Sequence, residues 1–207
     1  MLFEEDIRYP EEGDKLFVDS GDKDEIAWLH KTFQELGGYA DCYQAGAVSL
    51  IDAALNEKDK RDYHIYPAVF LIRHYIELRL KEFLQSLKYC SDQVKDFPTH
   101  HNIQNLWGDF KKAYADIGED ITDDRFKAID EIIKEFSNVD PISMAFRYPI
   151  DKNGEKIQKL EYVNLANLRE SFIRLGFVFD GISMQLAHYV ELTEDMMGEV
   201  YEHYWEH

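Results

Sequence analysis

The chain has 207 residues, 45% of them hydrophobic and 14% aromatic, which is enough for one well-buried core. Asp and Glu number 41 against 23 Lys and Arg, so the formal net charge is −18. This charge repels phosphate backbones and anionic lipid, and it disfavours direct binding of nucleic acid or of a membrane surface.

The sequence has few residues or segments that indicate targeting, membrane insertion or redox chemistry. Cys42 and Cys90 are the only cysteines, and neither belongs to a metal-ligand spacing. The N-terminus is acidic and has no apolar segment of the signal-peptide type, and no window is apolar enough to span a membrane. We therefore expect a cytoplasmic protein with reduced cysteines, no cofactor and no bound metal.

The first quarter of the chain predicts an acidic arm and two helices. Residues 1–22 are rich in Glu, Asp, Gly and Pro, a composition typical of an irregular segment. A first helix, capped by Asp22 or Asp24, is predicted to end at the glycine pair Gly37-Gly38. A second helix is predicted over residues 39–55.

The third predicted helix follows a charged connector, residues 56–62, and extends from Tyr66 to near Tyr89. Pro67 favours a helix start at that point, because proline lacks the N–H that a first turn leaves unsatisfied. Apolar residues at steps of three and four predict that one face of this helix lies in the core: Val69, Ile72, Ile76, Leu80, Phe83 and Leu87.

The second half of the chain predicts three further helices and a hairpin. One helix covers residues 103–114, and the next begins after a Thr122 cap. Residues 144–150 and 156–163 flank an Asn-Gly turn, a pattern that predicts a β-hairpin. The last long helix is predicted to begin near Asn164.

These elements together predict a mainly α fold, a bundle of five to seven helices with a short β-hairpin inserted before the last long helix. Residues 1–22 are the acidic arm, residues 23–192 a single bundle domain, and residues 193–207 an acidic aromatic tail. His203 and His207 in the tail have the i, i+4 spacing of a metal-binding pair. Because chain ends fray, an adventitious site is the favoured interpretation there.

Charged side chains interrupt the apolar third helix. Arg73, Glu77 and Lys81 recur every four residues, with His74 beside them. Since a buried charge needs a partner, this set is either an intrahelical ion-pair ladder or a polar site. In such a site Arg73 would bind an anion and His74 would transfer a proton. The ladder is the favoured interpretation.

Two segments outside that helix supply further candidates. His101 adjoins a helix that must pack near the third one, and Arg147 is flanked by aromatic residues and proline. That setting holds a guanidinium rigidly for a carboxylate or phosphate, and Glu77 is one such carboxylate. The equal alternative is that Arg147 pairs across to Glu161 or stacks on Tyr148. For the histidine pair, the favoured interpretation is structural, with one histidine bonding to a backbone carbonyl. Arg79 and Glu82 are predicted to be solvated. The candidate site residues are Arg73, His74, Glu77, His101 and Arg147.

The sequence resembles the HEPN superfamily. The resemblance lies in the segments RHYIELRLK (73–81), HNIQNLW (101–107) and FRYP (146–149), and it covers roughly residues 25–190. It implies a helical bundle that dimerises. It also implies either a metal-independent ribonuclease of toxin–antitoxin or phage-defence systems, or a non-catalytic interaction module.

One departure from the family pattern concerns activity. Catalytic members of the superfamily have an arginine followed four to six residues later by a histidine near a helix end. Here Arg61 precedes His64 by three residues, and Arg73 directly precedes His74. No catalytic residue can therefore be assigned from the family motif.

The sequence predicts a HEPN-like interaction or regulatory module in bacterial defence or stress response, acting as a homodimer or with a protein partner. One alternative is an atypical metal-independent ribonuclease or nucleotide-binding enzyme, and a second is an acidic mimic of nucleic acid. The enzyme hypothesis requires the candidate residues to converge on one anion-binding cleft. The module hypothesis requires Arg73 and Glu77 to be paired and buried, with no pocket beside them.

Overall fold

A computed structural model describes residues 9–18, 21–29, 35–141 and 143–205, with side chains described through residue 198. The chain divides into two units, residues 1–31 and residues 32–207. In the first unit, the described part contains one turn of 3-10 helix at Lys23–Glu25. The α-helices all belong to the second unit.

In the described part of the second unit there are five α-helices, so the predicted mainly helical bundle is confirmed. The helices are α1 (Leu36–Asn56), α2 (Arg61–Asp92), α3 (Ile103–Asp116), α4 (Asp124–Val139) and α5 (Leu165–Trp205). Helix α2 is central and packs against α1, α3 and α5. Within the described residues, no helix combines the length and apolar character that crossing a bilayer requires.

The core is built from the apolar face of α2 and from aromatic side chains of its neighbours. Tyr75 and Phe83 of α2 and Phe179 of α5 are completely buried. Phe83 lies edge-on to Phe179, with 5.4 Å between ring centroids, and 5.2 Å from the ring of Phe110 on α3. Full burial of one such side chain contributes about 1.5–3 kcal/mol, so this cluster fixes how the helices pack.

The prediction that a first helix ends at Gly37-Gly38 is wrong. Both glycines lie inside α1, and residues 26–29 have no regular structure; residues 30–34 of the predicted helix lie outside the described part. A Cβ on Gly37 would lie 3.0 Å from the carboxylate of Glu82. The glycine therefore permits a close approach between α1 and α2 and does not terminate a helix.

Helix α2 begins five residues earlier than the connector and Pro67 suggested. It starts at Arg61, and Pro67 lies within it at an exposed position. Nε of Arg61 donates to the carbonyl oxygen of Ala54 at 3.2 Å, which satisfies a carbonyl near the end of α1. Proline at this position removes only one backbone hydrogen bond, so the helix continues through it.

The predicted β-hairpin does not form. Among the described residues of the 143–164 segment, pairing is limited to one isolated antiparallel bridge between Ile150 and Lys156. The turn itself is present, because Asp151 Oδ1 accepts the N–H groups of Asn153 and Glu155. The strands do not extend because Pro149 has no N–H to donate to a ladder.

The residues preceding Pro149 also coil instead of extending. The N–H groups of Arg147 and Tyr148 both donate to the carbonyl oxygen of Met144, at 3.1 and 3.0 Å. This compact turn buries Ala145 and Phe146 against Val69 of α2. Local turn hydrogen bonds and burial of Phe146 thus replace a strand.

The predicted cap of α4 is wrong, and the predicted start of α5 is confirmed. Asp123, not Thr122, caps α4: its Oδ1 accepts the N–H of Phe126 at 3.0 Å, while Thr122 bonds to Asp120. The predicted start of α5 is confirmed, because Asn164 Oδ1 accepts the N–H of Asn167 at 3.1 Å. Helix α5 then continues through Trp205, so residues 193–205 prolong it.

Candidate functional site

Glu77 lies at the centre of a group of ionisable side chains, four of them buried, that we call the Glu77 cluster. Its members are Arg73, Glu77, Lys81, His101 and Asp140. Glu77 Oε2 accepts from Arg73 Nη1 at 3.2 Å, and Oε1 accepts from Lys81 Nζ at 3.0 Å. The predicted i, i+4 ladder is therefore confirmed, and Arg73 and Glu77 are each only 3% exposed.

Two groups from other elements complete the Glu77 cluster. Arg73 Nη2 donates to the backbone carbonyl of His101 at 2.7 Å, which ties the start of α3 to α2. Arg73 Nε lies 3.8 Å from Asp140 Oδ2. Asp140 Oδ1 accepts the N–H groups of Met144 and Ala145, so it also holds the compact turn after α4.

The electrostatics of the cluster keep Glu77 ionised. Burial raises the pKa of a carboxyl group, but hydrogen bonds from His101 and Lys81, together with their charge, outweigh burial and lower the pKa of Glu77 below its ordinary value. Two carboxylates face two permanent cations, so the buried charges compensate one another. Every heteroatom of the Arg73 guanidinium except Nε has a hydrogen-bond partner inside the protein.

His101 is the accessible member of the Glu77 cluster. Its Nδ1 lies 2.7 Å from Glu77 Oε1, and 72% of its side chain is exposed. A buried carboxylate on Nδ1 fixes the ring orientation and leaves Nε2 toward solvent, where it can accept or release a proton. This is the one arrangement among the five candidates that resembles acid–base machinery.

His74 and Arg147 lie in a different environment. The His74 ring packs edge-on to Tyr43, with centroids 4.4 Å apart, and stacks on Phe70 at 6.1 Å. Arg147 lies over Phe70 at 5.8 Å and over Tyr148 at 5.3 Å. Arg147 is therefore not the partner of Glu77. Burial, helped by nearby Arg73 and Lys81, lowers the pKa of His74 below 6.5 despite the opposing charge of Glu77, which favours a neutral ring at neutral pH.

A second buried arginine was missed by sequence reasoning. Arg79 was predicted to be solvated, but it is only 4% exposed, and it contacts Asp41 of α1, Glu82 of α2 and Asp180 of α5. The Glu82 and Asp180 contacts are each 2.9 Å long. Only the i, i+3 spacing of Arg79 and Glu82 is visible in the sequence. The other two carboxylates, Asp41 and Asp180, belong to other helices.

The Arg79 contacts place three carboxylates around one guanidinium. Burial and the neighbouring Asp41 raise the pKa of Asp180, although Arg79 opposes them. Glu82 also accepts a hydrogen bond from the Ser183 hydroxyl, which adds a second tie to α5. This arrangement joins α1, α2 and α5 at one point and has the character of a structural junction.

A cavity of about 290 Å³ lies elsewhere in the bundle, and none of the five candidate residues lines it. Its walls come from α2, α4, α5 and the irregular segment before α5. Within the described residues, no group of three or more His, Cys, Asp or Glu side chains has the geometry to hold a metal ion. The side chains of His203 and His207 lie outside the described part.

Comparison with models of known protein families, with curated proteins and with solved structures found no significant match to this chain. The HEPN resemblance and the functions it implies therefore stay predictions.

Proposed function

We propose that this chain is a HEPN-like helical interaction or regulatory module that acts as a homodimer. The observation behind this proposal is the burial of the Arg73–Glu77 pair, whose hydrogen-bonding groups are almost all engaged inside the bundle. A guanidinium in that state has no free edge for a phosphate or another anion. The Glu77 cluster thus favours a structural role in joining α2, α3 and the turn after α4.

The outer face of α5 supplies a surface for association. Ile173, Phe177 and Met184 project from it at helical spacing, and Phe177 and Met184 are 81% and 75% exposed. Exposed apolar side chains in such a row are typical of a contact surface. Gly181 lies between them, and no heavy atom is within 4 Å of the position its Cβ would occupy. A second helix can therefore approach closely at that point.

A second copy of the chain would bring opposite charges together at the rim of this surface. In an antiparallel pair of α5 helices crossing between residues 182 and 183, just after Gly181, Arg174 of one copy would lie opposite Glu191 of the other, while also pairing with Glu170 of its own helix. Both side chains are exposed on α5. Opposite charges at the rim, with Phe177 and Met184 at the centre, match the usual anatomy of an interface.

The homodimer is tested with a variant that carries Phe177→Asp and Met184→Asp. We expect wild-type protein to sediment as a dimer and the variant to sediment as a monomer with unchanged helical circular dichroism, because buried carboxylates at the centre of an interface are strongly unfavourable. Tyr63→Asp, at an exposed position on α2, is the matched control and should remain dimeric. A wild-type protein that is monomeric at all concentrations would contradict the proposal.

We propose the role in bacterial defence or stress response on the basis of the HEPN resemblance. The acidic-mimic hypothesis has only the net charge of −18 as its support. A mimic should bind a strongly basic nucleic-acid-binding protein and be displaced by DNA. The interaction module should keep its partner when DNA is added, and this competition separates the two hypotheses.

A second candidate function, an acid–base enzyme such as a metal-independent ribonuclease, is favoured by the Glu77–His101 pair. An exposed imidazole oriented by a buried carboxylate can act as a general base. If the chain cleaves RNA, His101→Gln should abolish cleavage without lowering the melting temperature. His100→Gln, at the neighbouring exposed histidine, should leave cleavage unchanged.

A further inference from the structure

The cavity between α4 and α5 has apolar walls. Among the residues that line it are six large apolar side chains from three helices: Val69, Ile72, Phe136, Leu168, Phe172 and Leu175. All six also belong to the hydrophobic clusters or border them: four are cluster members, and Phe136 and Leu168 pack against the clusters. The volume is about 290 Å³ and the cavity is partly open to solvent, so a small molecule can enter it.

The failed hairpin helps to form this cavity. Leu160, Tyr162 and Val163 line one side of it, and they belong to the segment that was predicted to be a strand. Since that segment does not pair, its side chains are available to border a space between helices. The cavity is thus a product of the connection between α4 and α5.

Polar side chains also line the cavity. Glu135 of α4, Asn164 at the cap of α5, and Asn167 and Ser171 of α5 line it, and the first three are exposed. An apolar space with a few convergent polar groups at its opening is the usual form of a small-molecule site. The polar end of a ligand would therefore lie near the exposed residues Glu135, Asn164 and Asn167.

The charge of the lining selects the ligand. Among the described residues that line the cavity, Glu135 is the one acidic side chain, and there is no lysine, arginine or histidine. A carboxylate or phosphate ligand would therefore face Glu135 without a compensating cation, whereas an ammonium group would find a partner there. The net charge of −18 adds to the same preference.

The volume limits the size of the ligand. An apolar cavity of about 150 Å³ accommodates benzene, and ligand pockets for larger molecules begin near about 300 Å³. At about 290 Å³, this cavity fits one aromatic ring or a short alkyl chain with a polar end. The combination of an apolar body and a cationic head describes an arylalkylamine or a short alkylamine.

We propose that the cavity between α4 and α5 is a binding site for a small primary amine with an apolar body. The body lies against Phe136, Leu168 and Phe172, and the ammonium group pairs with Glu135. Side-chain oxygens of Asn164, Asn167 and Ser171 supply further acceptors for its N–H groups. This site is separate from the Glu77 cluster and from the outer face of α5.

The experiment compares three probes of one shape on the full chain by calorimetric titration: 2-phenylethylamine, 2-phenylethanol and 3-phenylpropionate. We expect the amine to bind best, the alcohol more weakly and the carboxylate not at all. Glu135→Gln should weaken amine binding by about tenfold or more and leave alcohol binding unchanged, because a charge-assisted hydrogen bond is lost. Glu131→Gln, one turn earlier on α4 and outside the lining, is the matched control and should bind like wild type.

A cavity-filling variant locates the binding. Ser171→Phe places a ring inside the space and should abolish binding of the amine and the alcohol, with folding checked by circular dichroism. Glu135→Gln alters an exposed side chain and keeps the test valid if Ser171→Phe does not fold. The proposal is overturned if no probe binds, if the carboxylate binds as well as the amine, if Glu135→Gln has no effect on the amine, or if folded Ser171→Phe still binds.

Discussion

Glu77 is the residue on which the interior of the bundle most depends. Its two carboxylate oxygens accept from groups on Arg73, Lys81 and His101, which belong to α2 and to the start of α3. Buried charges are tolerated only while they compensate one another. The loss of this one carboxylate would remove the ion-pair partner of Lys81 and leave Arg73 with Asp140, at 3.8 Å.

Glu77→Ala should therefore lower the free energy of unfolding by about 3 kcal/mol or more, because it leaves Arg73 and Lys81 buried without their partner. Urea denaturation at neutral pH measures the change. Glu131→Ala replaces an exposed glutamate of α4 and should change stability by no more than about 0.5 kcal/mol. An unchanged unfolding midpoint for Glu77→Ala would show that the ladder is not a stabilising element.

The same residue makes stability depend on pH. The pKa of Glu77 is lowered in the folded state, so its carboxylate contributes stability above the unfolded-state pKa and loses that contribution as the pH falls through the folded value. The stability difference between wild type and Glu77→Gln should thus be largest near neutral pH and shrink below about pH 4. Urea midpoints measured at several pH values give this difference, and growth of the difference on acidification would contradict the assignment.

Sequence patterns revealed the part of the Glu77 cluster that lies on one helix. Arg73, Glu77 and Lys81 meet because the α-helix places i and i+4 side chains together, and that rule needs no tertiary information. Asp140, and Asp41 and Asp180 around Arg79, could not be found in this way, because they come from other elements. Their positions depend on how the helices pack.

At the scale of elements, α2 shows how tertiary contacts override a local signal. Proline favours a first turn, yet α2 begins at Arg61 and continues through Pro67. The additional turns are supported by the contact of Arg61 with the end of α1. A helix boundary therefore depends on which carbonyls neighbouring helices leave unsatisfied, as well as on the residues at the boundary.

Pro67→Ala should stabilise the protein by about 1 kcal/mol or more. Alanine restores the hydrogen bond to the carbonyl of Tyr63 and removes a steric penalty of up to about 3 kcal/mol, which exceeds the gain in unfolded-state entropy of about 0.4–1 kcal/mol. Differential scanning calorimetry measures the change. Pro149→Ala, outside the helices, lacks this gain and serves as the control. A destabilised Pro67→Ala would indicate that the proline is needed for the packing of the first turns.

The irregular segment before α5 contains the predicted turn but not the predicted strands. The Asn-Gly turn is present as predicted, with Gly154 at a φ of +85°. A turn alone, however, does not make a hairpin. Strand pairing requires N–H donors on both sides and a face to bury. Here Pro149 lacks the donor, and Phe146 is buried by coiling toward α2.

At the scale of the whole molecule, the dominant property is the net charge of −18. Charge of one sign on a compact body is self-repulsive and opposes folding. Raising NaCl from about 0.01 M to about 0.15 M shortens the screening length from about 30 Å to about 8 Å. The repulsion between exposed carboxylates then decreases.

We expect the melting temperature to rise by a few degrees over that range of salt, since about 1 kcal/mol corresponds to roughly 2–4 °C for a chain of this size. Thermal scans in NaCl measure the shift, and sucrose at equal osmolality controls for effects not due to charge. A melting temperature that falls with salt would mean that attraction within surface ion pairs outweighs the net repulsion.

The helical character of the chain, the start of α5 and the ladder on α2 follow from local patterns, because helix periodicity, caps and i, i+4 pairs are local properties of the chain. Three other features follow only from how the helices pack: the separation of Arg147 from Glu77, the burial of Arg79, and the cavity beside α5. Each of these depends on contacts between residues far apart in sequence. Burial and charge compensation, which decide such contacts, are properties of the packed helices together.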